Sequence, residues 1–137
     1  YRIRSDAASH AYLSTLTGAA VRSVELVDER LYHLDLTFCP LDDRHALIAP
    51  LGWDRYGRRV VEALVPEPLV LDEEATYQFA ANSVVVGTTI VMPFCTPDVG
   101  KQLEAWGFDV VVVDVSEFQK AGGACRCLTL ALDVTLS

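Results

Sequence analysis

The chain has few of the features that mark nucleic-acid-binding and membrane-spanning proteins. Its 137 residues include 11 Lys and Arg against 19 Asp and Glu, which gives a formal net charge of −8. Affinity for phosphate groups needs concentrated Lys and Arg, and the only basic cluster lies between positions 55 and 59. No apolar run approaches the ~18–20 residues of a membrane span. We therefore expect no nucleic-acid partner and no membrane.

Cysteine is also sparse, with residues at positions 39, 95, 125 and 127. Two of these are separated by a single residue, and the set does not follow the spacing of a disulfide framework. A structural zinc site would need a second CxxC or HxxxH pair, which the sequence lacks. The sequence therefore predicts a reduced, cytoplasmic chain that needs no metal and no cofactor.

The beginning of the chain lacks a methionine and a signal-peptide pattern, because the first residue is Tyr1. This start predicts that the chain has been cut or that upstream sequence is missing. At 51% hydrophobic residues, the chain can still bury a core, and its length corresponds to one domain or part of one.

Hydrophobic alternation and turn residues predict a mixture of strands and helices. We expect strands at 21–27, 31–39, 46–49, 69–71, 83–87, 88–92, 108–113 and 127–136, helices at 6–16, 55–64 and 97–106, and a helical turn at 117–120. Residues 31–71 and 83–114 share a strand–strand–helix–strand order. Such a repeat, with a period of roughly 45 residues, is typical of propellers and solenoids.

Cys127 is the strongest candidate nucleophile. It follows Gly122 and Gly123, which let backbone amides approach a ligand closely, and its neighbour Arg126 can favour a thiolate. The alternative is a small buried cysteine at the start of a strand. Cys125 has the same orientation if the segment is extended, so alternation does not separate the two thiols.

His33 and Asp35 are the next candidate site residues. In an extended strand, residues two apart lie on the same face, and an imidazole beside a carboxylate can act as general acid and base. The alternatives are a structural strand histidine and an exposed strand-end carboxylate. Arg4 could bind a substrate carboxylate or be a solvated charge. Asn82 could contact substrate or simply form a turn.

Three segments resemble the guanidine-modifying superfamily. They are Tyr-His-Leu-Asp-x-x-Phe-Cys-Pro-Leu (32–41), Ala-x-Asn-Ser-Val (80–84) and Glu-Phe-x-Lys-Ala-Gly-Gly-Ala-x-x-Cys-Leu-Thr-Leu (117–130). The superfamily includes arginine deiminases, dimethylarginine dimethylaminohydrolases, amidinotransferases and arginine dihydrolases. The likeness is greatest to the dihydrolase and bacterial dimethylargininase branch, and it extends over essentially the whole chain.

The resemblance implies an α+β pentein fold, in which ββαβ units are arranged like the blades of a propeller. It also implies that Cys127 attacks the guanidinium carbon and that His33 protonates the departing amine and then activates water. Asp35 would hold the guanidinium nitrogens, and Arg4 would bind the substrate carboxylate. We also expect Asn82 to be a substrate-binding residue. The implied substrate is arginine or a methylated arginine, and the products are citrulline or ornithine with ammonia or an alkylamine.

The chain is shorter than the members of this superfamily. We therefore expect residues 1–137 to be the C-terminal portion of one catalytic domain, whose partner is a missing N-terminal half or a second chain. A non-catalytic pentein-like binding module is the alternative reading. An amidinotransferase differs only in whether an amine or water resolves the intermediate, and these residues do not separate the two.

Overall fold

The computed structural model describes residues 1–132, which form an α+β structure with two small sheets. The helices are α1 (Ser9–Thr17), α2 (Arg55–Leu64), α3 (Glu73–Tyr77), α4 (Pro97–Ala105) and α5 (Ser116–Gln119). The strands are β1 (Phe38–Pro40), β2 (His45–Ile48), β3 (Glu67–Val70), β4 (Val84–Val86), β5 (Thr89–Met92) and β6 (Asp109–Val112). Single 3₁₀ turns lie at Leu34–Leu36, Pro50–Gly52 and Arg126–Leu128.

The two sheets are built in the same way. In the first, β1 is antiparallel to β2, and α2 is the crossover that makes β3 parallel to β2. In the second, β4 is antiparallel to β5, and α4 connects β5 to its parallel neighbour β6. A parallel pair needs a long connection, which explains why a helix stands at the same place in each unit. The predicted strand–strand–helix–strand repeat is confirmed.

Local sequence explains where the crossover helices begin and end. The Asp54 side chain accepts hydrogen bonds from the backbone N–H groups of Gly57 and Tyr56 at the start of α2. The Thr96 side chain accepts one from Val99 at the start of α4, where Pro97 occupies the first helical turn. Such caps satisfy N–H groups that have no partner within the helix. The two helices have nearly the predicted bounds as a result.

The two units share one hydrophobic core. The central strands β2 and β5 supply fully buried side chains, among them Leu47 and Ile90, and Leu103 of α4 joins the same cluster. Residues of α3 and of the connection to β4 complete it, including Ala75 and Ala80. Because apolar contacts cross between the sheets, the units form one packed body.

The structure differs from three of the predicted strands. Residues 21–27 form only an isolated bridge, between Leu26 and Trp53. Of the strand predicted at 31–39, residues Leu34–Leu36 form a 3₁₀ turn, and only its last two residues belong to a strand, β1. The segment from Cys127 to Leu132 contains a 3₁₀ turn instead of a strand, and positions 133–136 lie outside the described residues. Helix α3 was not predicted.

The turn at Leu34–Leu36 forms because a buried threonine closes it. The Thr37 hydroxyl donates to the backbone carbonyl of Leu34 at 2.9 Å, and the indole N–H of Trp53 donates to the same hydroxyl at 2.8 Å. Thr37 is fully buried. The alternation of Leu34 and Leu36 with polar residues is typical of a strand. The hydrogen bonds of the Thr37 hydroxyl favour the turn instead.

A charged cluster holds the segment that leads to this turn. Asp28 accepts hydrogen bonds from the Arg30 guanidinium at 2.9 Å and from the Tyr77 hydroxyl at 2.7 Å, and the guanidinium lies 3.7 Å from the Tyr77 ring centroid. The bond to Arg30 is the main reason that the pKa of Asp28 is lowered from 3.8 to about 2.

We expect this cluster to give an acid-dependent part of the stability. A lowered pKa in the folded state favours folding above pH 3.8, and the benefit is lost as the pH falls through about 2. Asp28→Asn should therefore lower the free energy of unfolding at pH 6 by about 1–2 kcal/mol and remove part of its decline between pH 4 and pH 2. Urea unfolding followed by tryptophan fluorescence measures this. Parallel pH dependence in the two proteins would contradict it.

Candidate active site

Cys127 is the exposed one of the four cysteines. Cys39 and Cys125 are buried and Cys95 is half-buried. Burial raises the pKa of the Cys39 thiol to about 11 and also raises the pKa of Cys95 and Cys125, which keeps these thiols protonated and unreactive. The expectation that Cys125 and Cys127 point the same way is wrong, since the 3₁₀ turn at Arg126–Leu128 replaces the alternation of a strand.

A carboxylate lies beside the exposed thiol. The Sγ atom of Cys127 is 3.5 Å from Oδ2 of Asp35, although the two residues are 92 positions apart in the sequence. Asp35 belongs to the turn Leu34–Leu36 and is half-buried. The fold therefore brings a thiol and an acidic group together, as expected, but a turn rather than a strand presents the carboxylate.

His33 immediately precedes that turn and is exposed. Its imidazole packs against the ring of Tyr32, with 4.7 Å between ring centroids. The guanidinium carbon of Arg4 lies 5.3 Å from the centroid of the same tyrosine ring. Tyr32 thus lies between two predicted site residues, and its structural importance was not recognised from the sequence.

Tyr32 also contacts the glycine loop before Cys127. Its hydroxyl donates a hydrogen bond to the carbonyl of Gly122 at 2.6 Å. Gly122 has a φ of +93°, and a Cβ at this position would clash with the Tyr32 hydroxyl. Glycine is therefore needed here both for the left-handed backbone and for the close approach.

A cleft of about 610 Å³ lies beside these residues. His33, Asp35 and Arg4 all line it, and Arg126 and Arg22 contribute two further guanidinium groups. Cys127 itself is not among the lining residues, but it contacts Asp35 and follows Arg126. A negatively charged group at Asp35 together with several arginines suits a ligand that carries charges of both signs.

Asn82 lies beneath the cleft and does not line it. The residue is fully buried, and its side chain contacts Cys127 and the backbone of Asp35. This burial argues against the predicted direct contact between Asn82 and a substrate. The alternative, that Asn82 only forms a turn, does not account for its side-chain contacts with Cys127 and Asp35.

The described part of the chain contains neither a candidate metal cluster nor a membrane-spanning helix. Within positions 1–132, no three His, Cys, Asp or Glu residues lie close enough together to hold a metal ion. The helices of the same region include none with the length and apolar content needed to cross a bilayer.

The chain is similar to enzymes of arginine metabolism. It is 39% identical over 132 residues to the bifunctional arginine dihydrolase/ornithine cyclodeaminase ArgZ of Synechocystis sp., a match that covers 95% of this chain and 19% of ArgZ. It is 36% identical to N(G),N(G)-dimethylarginine dimethylaminohydrolase of Mycobacterium tuberculosis, over 96% of this chain and 44% of that enzyme. No family model matches the chain.

A solved structure agrees with these relatives. The N-terminal domain of an ArgZ variant, covalently bonded to a reaction intermediate, superposes with a TM-score of 0.92 at 39% identity, over 95% of this chain and 48% of that domain. Over nearly its whole length, the chain is homologous to members of the guanidine-modifying superfamily. It spans less than half the length of these relatives. Their ligands and reactions are therefore properties of those proteins.

The loop before Cys127 permits a direct test of the thiol's position. A Cβ at Gly123 would lie 2.9 Å from Cβ and 3.1 Å from Sγ of Cys127. Gly123→Ala should therefore displace the thiol, and we expect the alkylation rate of Cys127 to fall by roughly tenfold to a hundredfold. Mass spectrometry after timed exposure to 2-chloroacetamidine measures the rate.

The matched control is Gly100→Ala in α4. A Cβ there would meet only Cys95 Sγ, at an ordinary contact distance of 3.4 Å, and alanine favours a helix over glycine. This variant should keep the native alkylation rate. Equal rates for the two glycine variants would contradict the importance of the close approach at Gly123.

Proposed function

We propose that the chain forms part of a thiol-dependent hydrolase that acts on the guanidine group of arginine or a methylated arginine. The observation that carries the proposal is the exposed thiol of Cys127 at 3.5 Å from the Asp35 carboxylate, beside a cleft lined by His33 and Arg4. A guanidinium ion that pairs with Asp35 would place its carbon near the sulfur. Homology to the arginine dihydrolase and the dimethylargininase supports this chemistry.

Cys127 acts as the nucleophile in the proposed reaction. Its thiolate adds to the guanidinium carbon, and the tetrahedral intermediate then expels ammonia or an alkylamine to leave a covalent thiouronium. Water adds to the same carbon, and loss of the sulfur regenerates the thiol and releases the ureido product. Each turnover consumes one water and yields citrulline with one amine. Ornithine would require a second hydrolysis, which releases carbon dioxide and another ammonia.

His33 is the general acid and base of the scheme. The leaving amine needs a proton and the attacking water must lose one, so a single imidazole can serve both steps in sequence. The residue is exposed and lines the cleft, which leaves its ring nitrogens accessible to a ligand. The contact of its ring with the tilted ring of Tyr32 limits the directions in which it can point.

Asp35 and Arg4 orient the substrate from opposite ends. The carboxylate of Asp35 accepts hydrogen bonds from guanidinium N–H groups, and the guanidinium of Arg4 pairs with the α-carboxylate. Both residues line the cleft. Fixing both ends of the substrate holds the reacting carbon against the sulfur, which is how positioning lowers a reaction barrier.

We further propose that residues 1–137 are the C-terminal portion of a catalytic domain completed by another segment or chain. The chain spans 44% of the dimethylargininase and 48% of the ArgZ domain. Apolar side chains beside the cleft are exposed, among them Leu34 at 50% of its surface. A covering segment would bury them. A reduced nucleophile is consistent with a cytoplasmic location.

Product analysis tests the proposal. The intact protein that carries this chain is incubated with arginine and, separately, with dimethylarginine, and the amines, citrulline and ornithine are quantified. We expect hydrolysis, and a loss of about 10²–10⁴-fold in His33→Ala. Arginine binding without any product would contradict a hydrolase and indicate a binding module. Transfer of the amidino group to an added amine in preference to water would indicate an amidinotransferase.

A further inference from the structure

The buried carboxamide of Asn82 connects three segments of the chain beneath the cleft. Its Oδ1 accepts hydrogen bonds from the backbone N–H groups of Ala124 at 3.0 Å and Cys127 at 3.3 Å. Its Nδ2 donates to the backbone carbonyl of Asp35 at 3.2 Å and to the sulfur of Cys127 at 3.3 Å. The thiol and the carboxylate-bearing turn are therefore held by one side chain.

The hydrogen-bonding capacity of this carboxamide is completely used. An asparagine side chain has two donor hydrogens and two acceptor lone pairs, and Asn82 uses each of them. The two backbone N–H groups require an oxygen on one side, so the amide nitrogen must face the sulfur. The orientation follows from the network, since the opposite one would direct N–H groups at N–H groups.

The backbone around Asn82 is fixed as well. Phe79 has a φ of +58°, unusual for a residue other than glycine, and its carbonyl accepts a hydrogen bond from the Asn82 N–H at 2.8 Å. The Asn82 carbonyl in turn accepts from the N–H of Arg126 at 3.1 Å. Asn82 is thus tied to the cysteine loop through both its side chain and its backbone.

We propose that Asn82 is a positioning residue that holds Cys127 for attack and stabilises its thiolate. The inference rests on the proposed role of Cys127 as the nucleophile. An N–H group directed at sulfur favours the charged form of the thiol over the neutral form. This donor also offsets the effect of the nearby Asp35 carboxylate, whose negative charge disfavours a thiolate. Asn82 itself has no exposed surface with which to contact substrate.

The isosteric variant Asn82→Asp separates this role from packing. A carboxylate keeps an oxygen that can accept from the two backbone N–H groups. It replaces the amide nitrogen, which donates to both the sulfur and the Asp35 carbonyl, with a second, negatively charged oxygen. The thiolate should then become harder to form. Asn82→Ser keeps a small polar group at the position but removes the amide N–H groups without adding charge, so it provides a second variant.

The experiment measures the rate of Cys127 alkylation by iodoacetamide, a neutral reagent, as a function of pH in the intact protein. We expect Asn82→Asp to lower the rate at pH 7 by at least about tenfold and to move the half-maximal rate to higher pH. The effect of Asn82→Ser should have the same direction and a smaller size. Steady-state kinetics should show a lower kcat with little change in KM, because Asn82 does not touch substrate.

Gln119→Ala is the matched control. The Gln119 side chain donates to the carbonyl of Gln78 at 3.1 Å, so it links the α3–β4 connection to α5 without a contact to the thiol. This variant should leave the pH profile unchanged. The proposal is overturned if Gln119→Ala moves the profile as far as Asn82→Asp does, because loop tethering would then explain the effect. Folded Asn82 variants with native profiles would also overturn it.

A different result would contradict the proposed function. If Cys127→Ser retained full activity, Cys127 would not be the nucleophile, whatever the Asn82 variants do. If instead Cys127→Ser is inactive and both Asn82 variants have native pH profiles, only the positioning role is lost.

Discussion

Cys127→Ser is expected to reduce turnover of arginine or dimethylarginine by roughly 10³-fold or more. A hydroxyl holds its proton far more tightly than a thiol, so almost none of the strongly nucleophilic anion forms at neutral pH. The same change should abolish covalent labelling by 2-chloroacetamidine, an amidine that imitates the substrate's cationic group. Intact-protein mass spectrometry, with and without protection by arginine, gives the readout.

Cys125→Ser supplies the comparison for this result. Cys125 lies two positions away but is buried, and burial raises the pKa of its thiol. The variant should retain saturable labelling at a single site and most of the activity. Labelling that persists in Cys127→Ser and disappears in Cys125→Ser would reverse the assignment of the nucleophile.

Asp35→Asn is expected to have opposite effects on two reagents. Loss of the charge removes the pairing with a guanidinium or amidinium group, so kcat/KM and labelling by 2-chloroacetamidine should fall by about a hundredfold. The carboxylate is 3.5 Å from the Cys127 sulfur, and its removal also removes a negative charge that opposes the thiolate. Alkylation by the neutral reagent iodoacetamide should therefore become faster at neutral pH.

The two measurements together identify the role of Asp35. A structural role alone would slow both reagents, because a displaced thiol reacts poorly with either. Glu67→Gln is the matched control, because it also removes one negative charge, from a residue that pairs with Arg44 away from the cleft. We expect this variant to leave both rates within about twofold. A fall in both rates for Asp35→Asn would contradict direct pairing with the cationic substrate.

The repeat could be predicted from the sequence because local signals agree with the tertiary structure. Capping by Asp54 and Thr96 lies directly before the crossover helices, and the turn at Gly87, with a φ of +60°, separates β4 from β5. Short-range rules were sufficient there, and the helix at Arg55–Leu64 has the predicted bounds. The five-residue helix α3 was missed because it is too short to show a clear period.

The site was harder to predict because its contacts are long-range. Residue types and the resemblance indicate the candidates Cys127, His33, Asp35 and Arg4, but not the contacts that bring them together. Extended strands were expected around Asp35 and Cys127, whereas buried partners convert both segments into 3₁₀ turns. No sequence pattern shows that the Thr37 hydroxyl accepts a bond from Trp53, or that Asn82 contacts both turns.

The wide sequence separation of these contacts has a consequence for when reactivity arises during folding. The Asn82 side chain reaches back 47 positions to Asp35 and forward 45 positions to Cys127. Closing loops of this size requires ordering most of the chain, so such contacts form late and together with the core. A partly synthesised or partly folded chain then carries an ordinary thiol. On the proposed assignment of Cys127 as the nucleophile, its reactivity would be a property of the finished fold, and the newly made protein would be less exposed to premature alkylation and oxidation.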